Sequence, residues 1–74
     1  MSLPELSDQA RTWYILKGYE IEEEHNGRIY YMDGKFHRED GPAIEHVDGY
    51  LGWWWRGKYL TRSQYQKTIS MEQK

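Results

Sequence analysis

The sequence predicts an α+β fold: a small antiparallel β-meander flanked by an N-terminal and a C-terminal helix. Both ends of the chain carry helix caps and helical apolar spacing. Between Tyr19 and Leu60, glycines follow a polar or charged residue at Asn26-Gly27, Asp33-Gly34, Asp40-Gly41, Asp48-Gly49 and Arg56-Gly57. That stretch also repeats itself, "NGRIYYMDGKF" at 26–36 aligning with "DGYLGWWWRGKY" at 48–59.

The first helix is predicted over 2–17. Ser2 and Glu5 fit a capping box, Pro4 is tolerated in a first turn that needs no donor, and Gly18 suits the position just past the end. Leu3, Leu6, Ala10 and Trp13 recur at helical spacing, while Trp13-Tyr14-Ile15 would sit equally well in a strand. Asp8 near the start and Lys17 near the end complement the helix dipole.

Residues 19–60 read as short strands joined by tight turns, because Asn-Gly and Asp-Gly supply the positive φ that two-residue hairpin loops require. In the repeat, Tyr30 matches Trp53, Gly34 matches Gly57 and Lys35 matches Lys58. Gly52 is an extra residue in the second copy, a common mark of a bulge. A second helix is predicted over 61–72. Thr61 and Gln64 form a capping box, Leu60 and Tyr65 a hydrophobic staple, and Tyr65 and Ile69 share a face.

Seventy-four residues make one domain, 1–74, near the lower limit for a chain that folds on its own core. The lack of cysteine excludes disulfide staples and thiolate metal sites. Aromatic residues, 16% of the chain, are what remains to build a core, although 30% of residues are charged and the mean hydropathy is −1.04. A net charge of −2 with both signs mixed argues against a nucleic-acid partner. Glu22-Glu23-Glu24, the sole like-charge run, reads as a solvated strand end. No apolar stretch approaches a membrane span or a signal sequence, so a cytoplasmic protein without a membrane partner is expected.

Strand alternation puts Leu51, Trp53 and Trp55 on one face with Tyr30 and Met32, and Ile29, Tyr31 and Trp54 on the other. Two helices can cover one face. The other is core only if something else covers it, and otherwise it is a recognition surface, for which Trp54, Tyr31, Ile29 and Arg56 are the candidate residues.

The group His37-Arg38-Glu39-Asp40 invites a chemical interpretation, with His37 as base, Asp40 orienting it and Arg38 holding an anion. Strand neighbours point apart, however, and no Ser or Cys nucleophile stands beside the histidine. His25, His37 and His46 are too scattered to predict a metal site. The expectation is therefore that Asp40, Gly41 and Pro42 form a structural turn. Asp40 would accept from the turn backbone, Gly41 would supply positive φ, Pro42 would open a strand, and Arg38 would pair with Glu45. Contact of His37 and Arg38 with a small ligand is the alternative. No catalytic residue, metal or cofactor is expected.

The stretch "GKFHREDGPAIEHVDGYLGWWWRGKYLT" resembles a repeat of small bacterial, phage and large-virus proteins, of the form G-K-L-H-R-x-D-G-P-A with D-G and W-Y-x-x-G-K further on, similar to MORN-type hairpin repeats. The resemblance spans Tyr30 to about Thr61. Trp54 stands where the repeat usually has Tyr, Gly52 adjoins the tryptophans, and a further copy breaks off at Leu60-Thr61. It implies a hairpin-built sheet, a phage or viral origin, no enzyme activity, and protein binding or scaffolding. The expected function is a non-enzymatic protein-binding module, a phage-encoded modulator of a host or defence protein. The alternatives are a self-associating homodimer and a small-ligand binder built on His37, Arg38 and Asp40.

Overall fold

The computed structural model describes residues 3–72. The first helix, α1 (Asp8–Lys17), begins six residues later than the sequence predicts. Its N-cap is Ser7, whose hydroxyl accepts from the Ala10 N–H at 3.1 Å. Residues 3–7 are not helical, and the Pro4 carbonyl instead accepts from Arg28 Nη2 at 2.6 Å. Ser2 of the expected capping box lies outside the described residues. Gly18 ends the helix with φ 96° and returns its N–H to the Ile15 carbonyl at 3.0 Å, as the C-terminal glycine should. Tyr14, not Trp13, is the residue α1 buries, with Ala10 one turn before it and Leu6, ahead of the helix, packed against the same cluster; Trp13 stays 40% exposed.

Six strands follow: β1 (Tyr19–Glu24), β2 (Gly27–Met32), β3 (Lys35–Phe36), β4 (Ile44–His46), β5 (Leu51–Trp55) and β6 (Lys58–Leu60). All pairings are antiparallel. The order is β1-β2-β4-β5-β6, with β3 paired to the far half of β2. β3 and β4 thus share one edge of β2. Tyr30 bridges the gap between them: its carbonyl accepts from His37 N at 3.1 Å and its N–H donates to the Ala43 carbonyl at 2.8 Å. Residues 38–42 form an excursion opposite that single residue. The second helix, α2 (Arg62–Glu72), starts with the predicted reciprocal cap. Thr61 N donates to Gln64 Oε1 at 3.0 Å and Gln64 N to Thr61 Oγ1 at 3.2 Å, with Leu60 and Tyr65 both buried beside it.

The repeat folds as two equivalent hairpins, β2–β3 and β5–β6. Both two-residue turns have positive φ throughout, 54° and 75° at Asp33-Gly34 and 49° and 84° at Arg56-Gly57, the pattern of a type I′ turn. Three expectations about the remaining glycines need correction. The β1–β2 turn is His25-Asn26, neither with positive φ, and Gly27 lies in β2, opposite Glu24. A Cβ there would stand 2.7 Å from the Glu45 carbonyl oxygen, so close approach is what requires glycine. Gly41 has no positive φ either; a Cβ would lie 2.9 Å from the Arg38 guanidinium carbon. Gly52 is paired opposite Ile44 in the same register as Leu51 and Glu45, so it is a paired strand residue and not an unpaired bulge residue.

Register places Tyr19, Ile21, Glu23, Arg28, Tyr30, Met32, Glu45, Leu51, Trp53, Trp55 and Leu60 on one face of the sheet. Both helices pack on this inner face. Tyr14 of α1 joins Tyr19 and Tyr30, the last fully buried, and Tyr65 of α2 lies 4.9 Å from Trp53 and 6.1 Å from Trp55, centroid to centroid.

Candidate functional site

The charged patch and the outward aromatic strand positions, Tyr31 and Trp54, separate onto different parts of the molecule. The excursion at 38–42 sits on the inner side, where tyrosines from three elements hold it. The Tyr14 hydroxyl donates to Asp40 Oδ2 at 2.6 Å, the Glu39 N–H donates to the Tyr19 hydroxyl at 2.9 Å, and the Gly41 N–H donates to the Tyr65 hydroxyl at 3.2 Å. The Tyr65 hydroxyl donates in turn to the Arg38 carbonyl. Burial is the main cause that raises the pKa of all three phenols, that of Tyr65 to about 12. They remain hydrogen-bonding neutral groups at any physiological pH.

Arg38 is the hub of this arrangement. Nε donates to Asp40 Oδ1 at 2.8 Å; Nη1 donates to the Pro42 carbonyl at 3.1 Å and to Glu45 Oε1; Nη2 donates to the Tyr14 hydroxyl at 3.2 Å. The guanidinium also lies 4.2 Å from the Tyr30 ring centroid. Burial works against its charge, but hydrogen bonding to Asp40 and the surrounding phenols and carboxylates outweigh that cost and leave its pKa raised. With a side chain only 14% exposed and these partners around it, Arg38 has little left for a ligand. Asp40 therefore accepts from Arg38 and Tyr14 side chains, where the sequence suggested the turn backbone, and Gly41 admits the guanidinium.

His37 is 3% exposed, its ring 5.8 Å from that of Tyr19 and 4.6 Å from that of Trp55. Nδ1 accepts from the Arg56 N–H at 3.0 Å. Burial and, to a lesser degree, Arg56 hold its pKa below the ordinary 6.5. It faces neither Arg38's partners nor a nucleophile, so the patch is not assembled as an acid–base pair.

The opposite, outer face carries Ile29, Tyr31, Phe36, Ile44, Gly52, Trp54 and Tyr59 by register. Four of the rings form a row, Tyr31 to Phe36 at 5.3 Å, Phe36 to Trp54 at 5.0 Å and Trp54 to Tyr59 at 5.5 Å. A shallow depression of about 310 Å³ lies along it, lined by Tyr31, Gly34, Lys35, Phe36, Trp54 and Gly57. Trp54 is half-buried and Tyr59 is 57% exposed. The Trp54 indole N–H has no hydrogen-bond partner among the described residues and rests above Gly52, where an added Cβ would be 3.2 Å from it. β1 borders the row, and its outward residues are Glu20, Glu22 and Glu24, with the Tyr31 hydroxyl donating to Glu22 Oε2 at 2.8 Å.

Of the predicted surface residues, the fold brings Trp54, Tyr31 and Ile29 to one face and adds Phe36 and Tyr59, which sequence reasoning missed. The signal was available: the repeat offset of 23 that pairs Tyr31 with Trp54 pairs Phe36 with Tyr59. Arg56 lies outside this face, in the β5–β6 turn, with its guanidinium 5.9 Å from the Trp55 ring. Among the described residues, no group of three His, Asp or Glu side chains is placed to hold a metal, and no helix is long and apolar enough to cross a membrane. No protein-family model, curated protein or solved structure matches the chain.

Proposed function

We propose that the chain is a non-enzymatic protein-binding module that engages its partner through the outer face, with Trp54 and Tyr31 at its centre and Phe36, Tyr59 and Ile29 around them. The observation that carries this reading is the continuous aromatic row on the one sheet face against which neither helix packs. Trp and Tyr are favoured interface anchors, since they offer large apolar area at little entropic cost. The acidic outward side of β1 suits a partner whose apolar contact is rimmed by basic residues. The non-enzymatic part of the reading is supported by Arg38 and Asp40 being engaged in structural hydrogen bonds. A host or defence protein, bound by a phage-encoded modulator, is the target supported by the family resemblance.

The test uses Trp54→Ala and Tyr59→Ala in the full chain. Both variants are expected to keep cooperative unfolding, and both should lose a partner cross-linked by the wild-type protein at this face. Sedimentation at micromolar concentration separates the homodimer: a concentration-dependent dimer abolished by either substitution would assign the face to self-association. Unchanged partner capture in both variants would overturn the outer face as the binding surface.

A further inference from the structure

A second recess lies on the inner side of the paired turns and shares Lys35 with the outer depression. It measures about 300 Å³ and is lined by Met32, Asp33, Lys35, His37 and Arg56. Its charged groups come from matching ends of the two hairpin copies, which the Gly57 N–H to Phe36 carbonyl bond of 2.8 Å holds side by side. Among the described residues, Lys35, Arg56 and Asp33 form no ion pair. Two cations against one carboxylate leave the recess with excess positive charge.

His37 adds a directed donor. Its Nδ1 accepts from the Arg56 N–H, so the neutral ring carries its proton on Nε2. Burial favours that neutral form, and Nε2 has no protein partner among the described residues. It is not among the buried atoms left without a partner, so this donor of an otherwise buried ring is accessible.

Arg56 is also out of place by turn chemistry. It occupies φ 49° at the first central position of its turn, where the sister turn has Asp33 at φ 54°. Asp tolerates that conformation through local hydrogen bonding; Arg gains nothing comparable from it. A residue that breaks a local rule at the rim of a charged recess points to use of its side chain.

We propose that this recess binds the phosphate group of a small phosphate monoester, Arg56 and Lys35 supplying charge and His37 Nε2–H a hydrogen bond. Two cations match a dianion better than a monoanionic carboxylate, and three donors match the three peripheral oxygens of a monoester. The recess is larger than inorganic phosphate requires, and Asp33 stands in its wall as an acceptor for a hydroxyl on the esterified group. This site shares Lys35 with the wall of the outer depression, whereas Asp33, His37 and Arg56 line the recess and not that depression.

The experiment is an NMR titration of the ¹⁵N-labelled full chain at neutral pH with phenyl phosphate, inorganic phosphate and benzoate as separate probes. Saturable shifts are expected at the Lys35, Arg56 and Gly57 amides and at the His37 ring nitrogens, tightest with phenyl phosphate. Arg56→Gln and Lys35→Gln should each weaken phenyl phosphate by about tenfold or more, the loss of one charge-assisted contact. Lys67→Gln on α2 should leave it unchanged. Linear shifts without saturation, saturation elsewhere on the protein, preference for benzoate, or unchanged affinity in the Arg56 and Lys35 variants would overturn the assignment.

Discussion

On the inner side of the sheet, Tyr14 and Tyr30 lie against the Arg38 guanidinium while Tyr19 and Tyr65 hold the backbone of residues 38–41; on the outer side, Tyr31, Phe36, Trp54 and Tyr59 lean mostly on one another. The two faces are equally aromatic, so hydrophobicity does not distinguish core from surface. What separates them is the polar segment packed on one and not on the other. Inside, the hydroxyls of Tyr14, Tyr19 and Tyr65 each find a partner in residues 38–41, although the Tyr30 hydroxyl and Arg28 Nε are buried without one among the described residues. Outside, the indole N–H of Trp54 finds none and the Tyr31 hydroxyl reaches an exposed edge carboxylate. A polar excursion of five residues, 38–42, converts the inner rings into a core, and among the described residues nothing equivalent lies over the outer ones.

Removing the hub of that excursion should have the largest effect. Arg38→Ala leaves Glu45, Asp40 and the Tyr14 hydroxyl without their shared donor, and breaking a partly buried ion-pair network from one side costs about 3–5 kcal/mol. In a domain of this size that is a large part of the total stability. Denaturant unfolding should show a much lower midpoint, with Arg38→Lys recovering only part of it because one ammonium cannot replace the fork. A loss below about 1 kcal/mol would mean that the inner face is held by ring packing alone and would erase the contrast between the faces.

Gly52→Ala tests the outer face from beneath. The new methyl would stand 3.2 Å from Ile44 Cβ, 3.2 Å from Trp54 Nε1 and 3.3 Å from the Tyr50 hydroxyl, so the indole must shift. Overpacking of this kind costs about 1–3 kcal/mol. Tryptophan emission should move slightly to longer wavelength as the Trp54 indole is displaced from Gly52, while the inner-face network is spared. Unchanged emission together with unchanged stability would mean that Trp54 does not rest on Gly52.

Much of this architecture is legible from the chain. Period-two alternation sorts Tyr30, Trp53 and Trp55 from Tyr31 and Trp54, because register leaves no other choice once the hairpins are placed. The Thr61–Gln64 cap and the turns at Asp33 and Arg56 are local devices, so four residues suffice to read them. Gly27 and Gly41 mislead for the opposite reason: their small size serves neighbours outside the dipeptide, the Glu45 carbonyl on another strand and the folded-back side chain of Arg38 three residues earlier, and a dipeptide cannot report that. The helix start shifts to Ser7 because the Pro4 carbonyl has a tertiary partner in Arg28, which competes with helix formation over residues 3–7. The tyrosine clamp on residues 38–41 joins α1, β1 and α2 and leaves no periodic trace. The aromatic row, by contrast, was half visible in the repeat.

Tyr31→Phe offers the smallest and sharpest perturbation. It removes the hydroxyl that donates to Glu22, a hydrogen bond at the solvent-exposed edge of the row, while keeping the ring 5.3 Å from Phe36. An exposed contact of this kind contributes little, so stability should change by less than about 1 kcal/mol. The free Glu22 carboxylate then leaves the acidic border of β1 intact. If the outer face works through ring area, partner binding survives this change and fails in Trp54→Ala. If binding falls as steeply as in Trp54→Ala while stability holds, the Tyr31–Glu22 pair is itself a recognition element. The surface would then resemble the inner face more closely than its geometry implies, with hydroxyl–carboxylate contacts, not rings alone, selecting what docks against it.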